Sequence, residues 1–206
     1  MMLTVPEEIR KAKVTKDKSH PKGAGKSSFE LIDSARFFHE LDLKKGITFL
    51  DLACGWGTYS LAVAKIIGRD GRVYAVDLWQ EGISSLKSKA AAKGIQNITA
   101  LVSDVSHHIP VEKVSIDVGL LATVLHDFVG EHVERGVLKE ISRVIKPEGT
   151  LAILEYKKND GPPGPPKSVR LSPKEVDKLL SPYGFKQRRI TGVGPNHYLQ
   201  IFNKTA

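Results

Sequence analysis

From about residue 47 onward, short apolar runs rich in β-branched residues alternate with stretches whose apolar positions recur at helical spacing. TFLDLA at 48–53, RVYAVD at 72–77, ITALVS at 98–103, SIDVGLL at 115–121 and TLAILEY at 150–156 read as strands. SLAVAKII at 60–67, a stretch near 81–93 and GVLKEISRVI at 136–145 read as the helices between them. This alternation predicts a parallel sheet with right-handed crossovers and helices on both faces.

The flanks obey other rules. Ser27-Ser28-Phe29-Glu30 has the form of a capping box, and Phe29, Ile32, Phe37 and Leu41 mark an apolar helix face behind it. KKNDGPPGPPKSVR at 157–170 is too rich in proline for a helix or a central strand and reads as a stiff surface loop. Ser172-Pro173-Lys174-Glu175 opens a further helix with proline at its first position. FKQRRITGV at 185–193 and HYLQIFN at 197–203 are strands joined by Gly194-Pro195-Asn196. That turn suits an antiparallel hairpin, so the last strand should run against the rest of the sheet.

Composition bounds this picture without changing it. With 206 residues, 41% hydrophobic and 26% charged, the chain fits one globular domain. No apolar run approaches the roughly 20 residues that span a bilayer. The opening MMLTVPEEIRKAKVTKDKSH lacks the apolar segment of a secretory signal, so a cytoplasmic location is expected. Cys54 is the only cysteine, which excludes an internal disulfide and a thiol cluster for a metal. Of the net charge of +8, about half lies in the first 26 residues, where seven Lys/Arg face three Asp/Glu. Such a segment can steer an anionic partner, nucleic acid included. The basic residues are scattered and carry no interleaved aromatics, so residues 1–26 read as a solvated extension before a domain at 27–206. Gly25-Lys26-Ser27 mimics the end of a phosphate-binding loop, but His20 stands where the first glycine belongs and no strand precedes it.

The strongest chemistry lies in FLDLACGWGTY at 49–59, a buried strand that ends in a small-residue turn and opens a helix. Gly55 and Gly57 permit unusual dihedrals and let a ligand approach without meeting a Cβ. The helix that follows presents free N–H groups and a positive dipole end. Many nucleotide sites share these features. Asp51 narrows the field, because a carboxylate just before the turn would repel a pyrophosphate, and the sixth position of the dinucleotide fingerprint is Ser60 rather than glycine or alanine. S-adenosylmethionine has no phosphate and carries a cationic sulfonium and a cationic ammonium, so an acidic first strand suits it. Asp77, 22 residues after Gly55 at the end of the second strand, can accept both hydroxyls of an adenosine ribose. Its plainer reading is a solvated aspartate at a strand end. Asp104 closes the third strand in Val102-Ser103-Asp104-Val105, so three consecutive strand ends carry acids around one crevice.

DLACGWG, the acid in VYAVD, the SD pair after the third strand, IDVGLLATVLHDF and LKEISRVIKPEGTLAILEY together resemble a class I S-adenosylmethionine-dependent methyltransferase. The likeness is to the ubiquinone/menaquinone-biosynthesis-like branch, with its R-V-x-K-P-x-G step into the fifth strand, and it covers about residues 29–203. The resemblance implies an α/β, Rossmann-like three-layer sandwich with a seven-stranded, mostly parallel sheet whose last strand is antiparallel. It implies cofactor contacts at Asp51, Ala53, Gly55, Gly57 and Tyr59 around the methionine moiety and at Asp77, Leu78 and Trp79 around ribose and adenine. It further implies Asp104 and Val105 near the adenine amino group, and Leu121 at the end of the fourth strand. Ala53 stands where glycine is common in such proteins.

Methyl transfer is an in-line displacement at an already activated centre, so the protein must mainly position the nucleophile and exclude water. A general base is needed only where the acceptor loses a proton. His126, after the fourth strand, is the candidate, with a structural histidine as the alternative. Tyr59 and Trp79 are candidates for packing on the cofactor, and equally for plain core. His20, Tyr156, His197 and Tyr198 are weaker candidates for the acceptor pocket, and Cys54 reads as a small packing residue. The Asn/Asp-Pro-Pro-aromatic loop of base and glutamine amino-methylating enzymes is absent; the position reads Ala122-Thr123-Val124-Leu125-His126. A small organic acceptor is the favoured partner. RNA or protein, suggested by the basic N-terminus with Lys186, Arg188 and Arg189, is the rival, and a cofactor-binding module without catalysis is another. The segment before Ser27 and the loop at 157–170 are expected to cover the acceptor pocket as a lid.

Overall fold

In the computed structural model, residues 25–205 are described; most of the basic extension, His20 included, lies outside them. The strands are β1 (Thr48–Leu52), β2 (Arg72–Asp77), β3 (Ile98–Val102), β4 (Ile116–Ala122), β5 (Ile145–Tyr156), β6 (Phe185–Gly192) and β7 (His197–Lys204). The helices are α1 (Ser34–Leu41), α2 (Thr58–Ile67), α3 (Gln80–Ala92), α4 (Leu125–Gly130), α5 (Glu134–Val144) and α6 (Pro173–Leu180). The sheet order is β3-β2-β1-β4-β5-β7-β6, with β1 to β5 parallel and β7 antiparallel to both its neighbours. The Rossmann-like, seven-stranded expectation holds.

Three local departures have physical reasons. The capping box at 27–30 does not form. Phe29–Leu31 is a single 3-10 turn, and α1 starts behind Asp33, whose side chain accepts from the Arg36 N–H at 3.0 Å. Ile32 is extended, Asp33 N–H donates to the Val193 carbonyl, and the Ser27 hydroxyl accepts from the Phe29 N–H at 3.2 Å instead of from Glu30. The strand predicted at 150–156 begins at Ile145, which already pairs with Ile116 ahead of a bulge at Lys146–Gly149. Helix α4 is too short, at six residues, to carry a periodic signal. The capping box at Ser172–Glu175 forms as expected.

Strand alternation divides the core into two layers. Leu50, Leu52, Leu121, Leu151, Ile153 and Phe202 face α5 and α6 on one side. Phe49, Val118, Leu120, Ala152, Leu154 and Ile201 face α1 and α2 on the other. All five parallel strands end on one edge of the sheet, and antiparallel β7 begins there. The candidate side chains gather along this edge.

Candidate active site

The backbone between β1 and α2 turns through the left-handed region at Ala53 (φ 52°), Gly55 (φ 53°) and Gly57 (φ 70°). Ala53 carries a cost of about 1–2 kcal/mol that glycine would avoid, which accounts for glycine being common at this position in similar proteins. Among the described residues a Cβ on Gly55 would touch one atom, the Lys26 carbonyl at 3.9 Å, so this side of the turn is not filled by a side chain of the sheet or its helices. At Gly57 the expectation needs correcting. A Cβ there would lie 2.4 Å from Leu86, so the missing side chain makes room for α3 and not for a ligand.

Asp51 is buried on the α2 face, and the Ser60 hydroxyl donates to its Oδ2 at 2.5 Å. Ser60, where a dinucleotide site would have a small apolar residue, is thus the partner of the first acid. Burial, opposed by this hydrogen bond and reinforced by the charge of Asp77, pushes the Asp51 pKa up to about 7. Asp77 is also buried, and its two oxygens accept the N–H groups of Gly55 and Trp79, each at 2.7 Å. Burial raises its pKa against these hydrogen bonds. The plain reading of Asp77 as a solvated strand end is therefore wrong. Asp104 accepts from the Ser106 N–H at 3.1 Å and its hydroxyl at 2.6 Å, shaping the turn after β3.

Aromatic side chains wall this edge. The Trp56 and Trp79 rings meet edge to face at 4.3 Å, and Trp56 Nε1 donates to the Gly25 carbonyl at 3.1 Å. Tyr59 packs against Phe29 and Phe37, with its hydroxyl 2.9 Å from that of Ser28. The Thr123 hydroxyl, at the tip of β4, donates to Ser28 at 3.2 Å. Thr123 itself has φ 55°, a strained state for a β-branched residue of the kind that collects at functional sites. The segment at 25–28 is thereby fastened across the glycine turn and β4. Leu78 is half-buried, whereas Val105 and Leu121 are buried in the core, leaving backbone as what Leu121 can offer a ligand.

Further along the edge, His126 is buried with Nδ1 2.8 Å from Glu155 Oε2, and its backbone N–H donates to Oε1 at 3.2 Å. Its Nε2 lies 3.6 Å from Asp127 Oδ2. A carboxylate at Nδ1 holds the ring proton there and makes Nε2 the basic nitrogen. Tyr156 follows Glu155 on the opposite sheet face, and its ring packs on His197 at 4.4 Å and on the His126 ring at 6.0 Å. Tyr198 is not part of this group. It points to the other layer, where its hydroxyl donates to the Leu171 carbonyl at 2.8 Å.

Residues 43–204 match a family model described as a methyltransferase domain. A solved S-adenosylmethionine-dependent methyltransferase from Aquifex aeolicus is 30% identical, with a TM-score of 0.79 over 87% of this chain and 93% of its own. The chain belongs to the S-adenosylmethionine-dependent methyltransferases. A demethylmenaquinone methyltransferase of Lactobacillus johnsonii is 32% identical over 62% of this chain and 51% of its own. One from Bacillus mycoides is 30% identical over 56% and 47%. The chain spans about half the length of these curated relatives.

The methyltransferase site fits S-adenosylmethionine on two observations. Asp51 is a buried acid hydrogen-bonded, among the described residues, only to a serine, and on the adjacent turn a Cβ at Gly55 would touch only the Lys26 carbonyl among those residues. A cationic ligand offsets the first and needs the second. Sequence reasoning missed Glu155, Trp56, Ser28 and Thr123. Glu155 had a signal: it is the acid at an inward position of TLAILEY, in step with Leu151 and Ile153. Ser28 and Thr123 had none, since they meet across 95 residues. Among the described residues no helix is long and apolar enough to cross a membrane.

Proposed function

We propose that this methyltransferase moves the methyl group of S-adenosylmethionine to a small organic acceptor in the cytoplasm, with His126 as its base. The carrying observation is the buried Asp51, held among the described residues by Ser60 alone, beside the glycine turn. In this reading Asp51, Ala53, Gly55 and the Gly57 backbone form the surround of the methionine moiety, with Tyr59 behind them. Asp77 takes the ribose hydroxyls with its remaining lone pairs. Leu78, Trp79 and Trp56 flank the adenine, Asp104 and Val105 lie at its amino group, and the Leu121 backbone closes the crevice. When bound, the cofactor supplies an electrophilic methyl on a sulfonium, and the chain's own groups need only aim the acceptor and take its proton. His126 Nε2 would receive that proton while Glu155 holds Nδ1. The demethylmenaquinone methyltransferases among the relatives support an acceptor of small-molecule size.

The loop at 157–170 and residues 25–26 belong to the same reading as a cover that excludes water, while the rest of the expected N-terminal cover lies outside the described residues. The attachment of residues 25–28 to Trp56, Tyr59 and Thr123 supports it. The decisive experiment is calorimetry with S-adenosylhomocysteine, followed by an acceptor screen with radiolabelled methyl donor. Micromolar binding and transfer to at least one small acceptor are expected. No binding, or transfer only to RNA or protein, would overturn the reading.

A further inference from the structure

The two edges of the sheet are built on different terms. Among the described residues β6 pairs with β7 alone and β3 with β2 alone, so each keeps one row of backbone donors and acceptors without a ladder partner. Edge strands of native proteins carry charge, proline or a bulge that keeps them from joining another chain. Strand β6 has Lys186, Arg188 and Arg189, with a bulge between Gln187 and Arg189. Strand β3 has none of these devices. Ile98-Thr99-Ala100-Leu101-Val102 is uncharged, lacks proline and keeps one register against β2 throughout.

Both faces beside this bare edge are short of cover. The connection from β3 to β4, residues 103–115, contains no helix, and Tyr74, Thr99 and Leu101 on that side of the sheet stay half-buried. On the other side Ala100 packs against α3, while Val102 is 43% exposed. A cavity of about 440 Å³ opens there around Ile98 and Ala100, walled by Lys87, Ala90, Ala91 and Gly94. Because strand side chains alternate, Ile98, Ala100 and Val102 share this face. One short strand thus carries a protruding valine at its end and a hollow of small residues at its start.

We propose that β3 joins two copies of this chain, pairing antiparallel with the β3 of a second copy about a twofold axis at Ala100. That axis sets Ile98 opposite Val102 of the other copy and Thr99 opposite Leu101. Each exposed Val102 then enters the hollow beside the other copy's Ile98, and the twofold makes both contacts at once. Neighbouring registers lose this fit. An axis at Leu101 sets Asp104 against Ile98, and one at Thr99 sets Val102 against Gln96. The knob and the hollow lie on the same strand at mirror-related positions, so the occupant that matches this edge is the edge itself. The contact uses none of the residues assigned to the cofactor.

The test is analytical ultracentrifugation of the full chain across a concentration series. The wild type should reach twice the mass of one chain at high micromolar concentration. Val102→Lys should raise the dimer dissociation constant at least tenfold. Ile190→Lys, an exposed position on the opposite edge strand, should leave it within twofold. Melting curves check that each variant is folded. Oxidative cross-linking reads the register. Ile98→Cys/Val102→Cys should give a covalent dimer, because opposed residues lie within disulfide reach. Val102→Cys alone, about 13 Å along the strand from its own image, should not, nor should the wild type with its Cys54. A wild type that stays monomeric at every concentration overturns the proposal. So does a dimer that Val102→Lys leaves intact, or one that Ile190→Lys disperses. Should Val102→Lys fail to fold, the cross-link decides: no covalent dimer from the cysteine pair, or one from Val102→Cys alone, overturns the proposal equally.

Discussion

Asp77 holds Gly55 in place: its Oδ2 accepts the Gly55 N–H at 2.7 Å across the gap between the first two strand ends. The other oxygen accepts from Trp79, so one carboxylate joins both turns of the cofactor edge. Asp77→Ala should therefore cost fold as well as ligand. Two donors lose their acceptor, a loss of about 2–4 kcal/mol, and cofactor affinity should fall roughly tenfold to a hundredfold. Thermal melts and calorimetry on the same variant check both; an unchanged melting temperature would show that the clamp is unimportant.

Asp51 makes stability and binding respond to pH in opposite ways. Its pKa is raised from 3.8 to about 7, so between those values the folded state keeps a proton that the unfolded state has lost. Its contribution to stability is therefore full below about 4 and falls as pH rises through about 7. A cationic ligand prefers the ionised carboxylate, so affinity for S-adenosylmethionine should climb from pH 5.5 to 7 and then level off. Binding at pH 6 should release protons, measurable by calorimetry in buffers of different ionisation enthalpy. Asp51→Asn should abolish the release.

Gly57 and Leu86 should behave as a coupled pair. Gly57→Ala meets both the positive φ, worth about 1–2 kcal/mol, and the Leu86 side chain. In a Leu86→Ala background the clash is gone and only the backbone cost remains. A double-mutant cycle by denaturant unfolding should give a coupling of about 1 kcal/mol or more. Strict additivity would mean that Leu86 moves aside freely.

Glu155→Gln should separate chemistry from binding. The amide can donate to Nδ1 and move the ring proton to Nε2, removing the base. With an acceptor that must be deprotonated, kcat should drop about a hundredfold or more, with S-adenosylhomocysteine affinity unchanged. Loss of cofactor affinity instead would assign Glu155 to the fold.

The sheet was legible because both its signals are local. Apolar runs such as TFLDLA and RVYAVD mark strands by composition, and Gly194-Pro195-Asn196 marks a hairpin by length. The acids at 51, 77 and 104 could be placed on one edge because parallel strands end together. What the chain hid is what depends on distant encounters. Ser28 is an ordinary position inside the expected capping box until Tyr59 and Thr123 engage its hydroxyl, and the role of Gly57 cannot be read without Leu86. Likewise Arg170 reads as one more surface cation, although it is buried among four carbonyls of a loop whose shape it organises.

The place of β7 between β5 and β6 has a consequence for how the molecule is made. Strand β6 leaves the ribosome before β7, its one ladder partner among the described residues, and must wait as an unpaired edge. Lys186, Arg188 and Arg189 put charge along that waiting strand, the kind of protection that keeps exposed edges from joining a neighbouring chain. The hairpin then docks as a unit, bringing His197 to Tyr156. The hairpin end of the sheet is thus assembled after the parallel strands whose ends hold Asp51, Asp77 and Asp104, and partial loss of β7 would strip the free edge of β5 before it disturbs the glycine turn.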